Sequence, residues 1–289
     1  MEKKTTLRSK PQGLAHAEGE LMRTLLQPSS GRHSLLLSVV LVAAVGAVAT
    51  AQFGFPGHQE PLVRNPAYDG RFAFARIRYT TAPGGYYYRG LPAWAHGYPR
   101  AERNLMKIMG EISYLNPHIE DGVVLSLDDP ELCKYPVAYM TEAGFWTLTD
   151  GEATAFRAYL EKGGFVIVDD FRSVPYDNGG QGWDNFEANM RRVLPQGRFV
   201  DLDPSHPVFD SFFRIESFDV IPQDYDRGRP TLRGLYEEND PGKRLMIVAN
   251  LDTDVANFWE FSARGFRPVS DSNQAYKLGV NYVIYGLTH

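Results

Sequence analysis

Residues Gly163 to Asp170 read GGFVIVDD, and this short run constrains the fold more than any other. Phe165 to Val168 are four apolar residues with no polar residue between them. Such a strand cannot turn one face to water, so it belongs in a sheet covered on both sides. A helix leads directly into it. Thr149 and Glu152 form a T-x-x-E capping box, Phe156, Tyr159 and Leu160 recur on one face, and Gly163-Gly164 ends the helix in a left-handed turn.

The same alternation continues along the chain. Arg71–Tyr79, Val123–Leu127, Pro136–Thr141 and Leu245–Ala249 read as strands. Helices are expected from Pro99 to Leu115, from Trp183 to Leu194 before Pro195, and from Asp271 to Leu287. Phe199–Leu202 and Arg214–Ile221 are candidate strands of an edge hairpin or insertion. Short apolar strands alternating with amphipathic helices predict an α/β fold with a mostly parallel sheet and helices on both faces.

Ahead of this domain, residues 35–51 are apolar, follow Arg23, Arg32 and His33, and end in Ala49-Thr50-Ala51. A 17-residue run closed by a small-x-small site reads as a signal peptide rather than a membrane span of ~20 residues. The expected organisation is a signal peptide over 1–51, a Pro/Gly-rich linker over 52–70 and an α/β domain over 71–289. Met22 is the better start, because MRTLLQPSSGRH is a basic leader. The protein is therefore expected to be exported, periplasmic or extracellular, touching a membrane only if residues 35–51 are retained. A net charge of −5 and a pI near 5.8 argue against nucleic-acid binding. The single cysteine, Cys133, can build neither a disulfide nor a thiolate zinc site.

In open α/β sheets ligands sit beyond the carboxyl ends of the strands. Here that rule selects the long loop after the first strand, with Tyr86, Tyr87, Tyr88, Arg89 and Trp94. It also selects Glu142 and Trp146, then Asp169, Asp170 and Arg172, and finally Asn250, Asp252 and Asp254. Asp169 or Asp170 suits a general base or a metal ligand, the alternative being a structural cap of the following loop paired with Arg172. In regular β geometry at most one of the two points into the crevice. His206, between Pro204 and Pro207, suits an acid–base role or a backbone contact. No nucleophile elbow, phosphate-binding loop, zincin helix or dinucleotide fingerprint is present.

The stretch YPVAYMTEAGFWTLTDGEATAFRAYLEKGGFVIVDDF, the later HPVF and the closing NYVIYGLTH together resemble the DUF4159 family over about Arg71 to His289. That resemblance implies a flavodoxin-like sheet, similar to class I glutamine amidotransferases and to ThuA-like proteins. The departure from amidotransferases is the strand end Tyr139-Met140-Thr141-Glu142, where a cysteine nucleophile would stand. Two functional readings follow. One is a non-catalytic module of the cell envelope that binds a ligand, an envelope protein or a carbohydrate through the aromatic rim. The other is a hydrolase or isomerase of carbohydrate or cell-wall compounds that uses Asp169, Asp170 and His206. Neither requires an organic cofactor, and a divalent metal is compatible with the second.

Overall fold

The computed structural model describes residues 64–82, 87–88, 90–120, 122–174, 182–222 and 229–289, all within one compact unit. The expected signal peptide and most of the expected linker lie outside the described residues. So do Tyr86 and Arg89, as well as the side chains of Tyr87 and Tyr88. No helix among the described residues is long and apolar enough to cross a membrane.

Seven strands form the main sheet: β1 Ala75–Arg78, β2 Val123–Ser126, β3 Val137–Thr141, β4 Phe165–Phe171, β5 Phe199–Asp201, β6 Thr231–Tyr236 and β7 Leu245–Leu251. Their order is β2-β1-β3-β4-β7-β6-β5. The first five in this order pair in parallel, while β6 runs antiparallel between β7 and β5. This is the flavodoxin-like arrangement with an added antiparallel edge, and its strand order reverses between β1 and β3.

Helices cover both faces. On one lie α1 Arg100–Ile112, α4 Val255–Glu260 and α5 Val269–Thr288, packed through Leu105, Met109, Phe258, Trp259, Leu278 and Tyr282. On the other lie α2 Asp150–Glu161 and α3 Trp183–Val193, packed through Phe156, Leu160, Phe186 and Met190. All seven residues of β4 and of β7 are buried, as a strand covered on both sides requires. The capping box at Thr149 and Glu152 forms, and Gly163 adopts φ 110 at the turn into β4.

Two local expectations change. Residues 214–221 form no strand and carry only the 3-10 turn Phe218–Val220. Just before them, the Asn281 side chain of α5 accepts from the backbone N–H groups of Phe212 and Phe213 and donates to the Phe213 carbonyl. The chain is thus tied to a helix, and β6 takes the place beside β7. The start of the domain also reaches into the expected linker: Asn65 donates to the Val124 carbonyl and accepts from its N–H, each at 2.9 Å.

Helix α5 packs closely against α4 and α1. A Cβ at Gly279 would sit 2.5 Å from Trp259 Cζ2 and 3.1 Å from Leu105 Cδ1. Gly279→Ala is therefore expected to destabilise the protein by ~1–3 kcal/mol, despite the ~1 kcal/mol by which alanine favours a helix. A urea midpoint at or above wild type would contradict this packing.

Candidate functional site

Three neighbouring strands, β3, β4 and β7, each deliver an acidic residue in the left-handed backbone region at the carboxyl end: Glu142 (φ 51), Asp170 (φ 60) and Asp252 (φ 59). Such backbone costs roughly 1–2 kcal/mol per non-glycine residue and collects at functional sites. In β4, Val168 pairs with Ala249 and Phe171 with Leu251, so Asp169 and Asp170 together face Asn250. This bulge breaks the alternation of the strand and gives the adjacent carboxylates separate surroundings.

Asp170 meets a residue that the sequence did not single out. His96 follows the 3-10 turn Ala93–Ala95 in the loop between β1 and α1. Its Nδ1 lies 2.8 Å from Asp170 Oδ2 and 3.4 Å from Glu142 Oε1. Thr141 Oγ1 donates to the same Asp170 oxygen at 3.5 Å. The Tyr79 hydroxyl donates to the carbonyls of Thr141 and Glu142 at 2.9 and 2.8 Å, bracing the turn that presents Glu142. Burial opposes charge on His96, but its hydrogen bonds to the Asp170 and Glu142 carboxylates and the charges of Asp170 and Asp254 override it and push its pKa up to about 12. Burial also raises the Glu142 pKa, against the pull of His96.

The His96 loop has its own anchor. Arg76 of β1 is wholly buried and donates through one terminal nitrogen to the carbonyls of Trp94 and His96, each at 3.0 Å. Its Nε donates to Glu102 of α1 at 2.6 Å, and its guanidinium lies 4.7 Å from the centre of the Tyr139 ring.

The other expected residues fall into different places. Asp169 faces inward and is fully buried. It accepts from the Tyr139 hydroxyl (2.8 Å), the Ala256 N–H (3.1 Å) and Asn250 Nδ2 (3.2 Å). Asn250 accepts in turn from the Tyr282 hydroxyl at 2.6 Å. Burial, then the charges of Asp254 and Asp170, push the Asp169 pKa well up. Asp252 accepts from the Ser173 N–H, and Asp254 caps α4 through the Asn257 N–H. Arg172 is half-buried beside them, its carbonyl accepting from the Trp183 N–H.

Trp94 and Trp146 were expected on an aromatic rim, yet both are fully buried. Trp146 packs between Phe156 and Phe186, because its loop tucks under α2 and α3 rather than over the strand ends. Cys133 is exposed on the 3-10 turn Pro130–Lys134, away from this rim.

His206 stands apart from Asp170. It caps the 3-10 turn Pro207–Phe209, its Nδ1 accepting from the Val208 N–H, and its ring packs on Tyr236 and Tyr285. Tyr236 pairs with Leu245, where β7 begins, so His206 sits at the opposite edge of the sheet from Asn250, about 17 Å along the strand.

His96 also lines an open cleft of about 780 Å³ between residues 91–100 and 257–267. The signal that could have found His96 was its place in a loop too long for a connector, directly before the start of a helix.

Two outcomes test this arrangement. Removing one member of a buried ion pair strands the other, so Arg76→Ala is expected to cost ~3–5 kcal/mol in urea unfolding, and Arg76→Met with Glu102→Leu to recover most of it. Equal losses in both variants would refute the pairing. Burial, reinforced by His289, lowers the His206 pKa below 6.5, so the unfolded chain takes up a proton there first. Its share of stability is then present above pH 6.5 and lost as pH falls through the lower folded value. The urea midpoint should drop less between pH 7.5 and about pH 5.5 in His206→Asn than in wild type; parallel profiles would show that His206 does not titrate this way.

A search of curated proteins finds no match to the chain. The family described as "Domain of unknown function (DUF4159)" matches residues 73–287, which span the whole sheet and its helices. The chain belongs to the DUF4159 family.

Proposed function

We propose that this domain is an exported ligand-binding module whose crevice holds a divalent cation between His96, Glu142 and Asp170. The observation that carries the reading is the spacing of three side-chain atoms. His96 Nδ1, one Glu142 oxygen and one Asp170 oxygen lie within 4.8 Å of one another, two of these separations being 2.8 and 3.4 Å. Ligand atoms bonded at ~2.1 Å to a tetrahedral or octahedral ion stand about 3.0–3.4 Å apart. One imidazole with two carboxylates suits zinc, manganese or iron(II).

Charge supports the same reading. Glu142, Asp169, Asp170, Asp252 and Asp254 are all buried at this end of the sheet. Carboxylates taken out of water require a compensating cation or a proton. A bound divalent ion would supply that charge in place of the His96 proton, which must leave before Nδ1 can ligate, and would polarise an oxygen of the ligand. The position lies beside the strand-order reversal, where sheets of this type bind ligands. Export rests on residues 35–51, with their apolar run and Ala-Thr-Ala ending.

One observation favours a second, catalytic reading. An imidazole held by a buried carboxylate is the usual arrangement of an acid–base group. On this reading a hydrolase or isomerase would use His96 with Asp170, not His206.

A thermal-shift series with manganese, zinc, magnesium and calcium tests the cation. At a hundredfold excess over its dissociation constant a native-state ligand contributes ~2.7 kcal/mol, a rise in Tm of about 5–10 °C for a domain of this size. The rise is expected in wild type and is expected to vanish in His96→Ala and Asp170→Asn. No rise with any of the four ions, or an equal rise in both variants, would remove the cation from the proposal.

A further inference from the structure

We infer that the open cleft beside His96 binds an uncharged, hydroxyl-rich ring, a carbohydrate. This names the ligand class for the crevice proposed above and rests on that reading.

The charges of the lining are largely matched within the protein. His96 is paired with Asp170 and Glu142, and Arg100 with Glu260. Arg267 donates from Nε and one terminal nitrogen to Asn257 Oδ1, at 3.1 and 3.0 Å, and its guanidinium lies 4.7 Å from the centre of the Phe258 ring. These groups call for no counter-charge from a ligand. What the wall offers is hydrogen bonding and apolar contact.

Glu260 supplies an acceptor. Its side chain is 13% exposed, and Oε1 accepts from Arg100 at 2.9 Å. Oε2 lies 3.4 Å from the position that a Cβ on Gly97 would occupy, so the glycine leaves this oxygen uncrowded. It accepts no hydrogen bond among the described residues. A largely buried carboxylate oxygen thus has lone pairs to fill. A ligand hydroxyl donates to it, whereas a ligand carboxylate or phosphate is repelled by it. An ammonium would instead meet the guanidinium groups of Arg100 and Arg264 in the same wall. Arg264 is exposed at the end of the 3-10 turn Ser262–Arg264. A hydroxyl both donates and accepts, so it serves Glu260 and Arg264 alike.

The rest of the wall suits the faces of a ring. Leu91 on one side of the cleft is 38% exposed, and Phe266 on the other is 71% exposed. Phe261 braces Phe266 edge to face at 5.8 Å. Apolar surfaces beside a few placed polar groups suit a molecule with apolar faces and a polar edge, which describes a pyranose. The volume of about 780 Å³ lies in the range of small-molecule sites. A ring seated here lies beside the proposed cation, because His96 belongs to both places.

Calorimetric titration of the whole chain tests this with glucose, galactose, mannose, N-acetylglucosamine, cellobiose and lactose, and with glucuronate and glucosamine as charged controls. At least one neutral sugar is expected to bind more tightly than about 1 mM, with an affinity that added salt does not weaken. That affinity should fall at least about tenfold in Phe266→Ala and in Glu260→Gln, and return in Phe266→Trp. Phe266 is exposed, so its variants keep the test valid if Glu260→Gln disturbs α4. No neutral sugar binding more tightly than about 1 mM, a charged control binding as tightly as the neutral sugars, or unchanged affinity in Phe266→Ala would overturn the inference. The titrations are repeated in Asp170→Asn. Sugar binding that persists there after the cation shift is lost supports the cleft separately. A cation shift in wild type without sugar binding leaves the cation reading and removes this one.

Discussion

Asp169 is a carboxylate that water does not reach, and the carboxyl end of the sheet is organised around it. Its two oxygens take hydrogen bonds from β3 through Tyr139, from β7 through Asn250, and from the first turn of α4 through Ala256. Asn250 extends the network to Tyr282 of α5. A buried carboxylate is tolerated only when such partners are supplied, so the four elements are positioned together or not at all. The bulge that lets Asp169 face inward also sets Asp170 against His96.

A second buried network positions the other side of the crevice. Arg76 and Glu102 join β1 to α1, and the spare donors of Arg76 hold the loop that carries His96. The two networks share Tyr139, which donates to Asp169 and lies under the Arg76 guanidinium. The His96–Asp170 contact is thus fixed from both sides by buried hydrogen-bonded groups. Second-tier support of this kind keeps a polar site in one geometry.

The crevice then divides by charge. At the strand ends carboxylates predominate. Along α4 and the residues after it, arginines and aromatics do.

Elements and fold class were legible in the chain because they depend on local period and local stops. Uninterrupted apolar runs required a sheet covered on both faces, and the capping box and the glycine pair marked the helix ahead of β4. The carboxyl-end rule brought Glu142, Asp170, Asn250 and Asp252 to one rim. What pattern could not decide was direction. Asp169 and Asp170 are neighbours in sequence, and only the bulge opposite Asn250 parts them. Trp94 and Trp146 look the same on paper whether they cover a crevice or fill a core. His206 stands on a rigid loop, and that loop leads to the far edge of the sheet. His96 sits 74 residues before the aspartate it meets. The amino-acid order by itself determined the five parallel strands, four of the five helices and the end of the sheet where chemistry gathers, but neither the antiparallel strand β6 nor helix α4. The tertiary structure alone decided which side chains meet there, because a contact between distant residues depends on strand order and backbone bulges that no local pattern encodes.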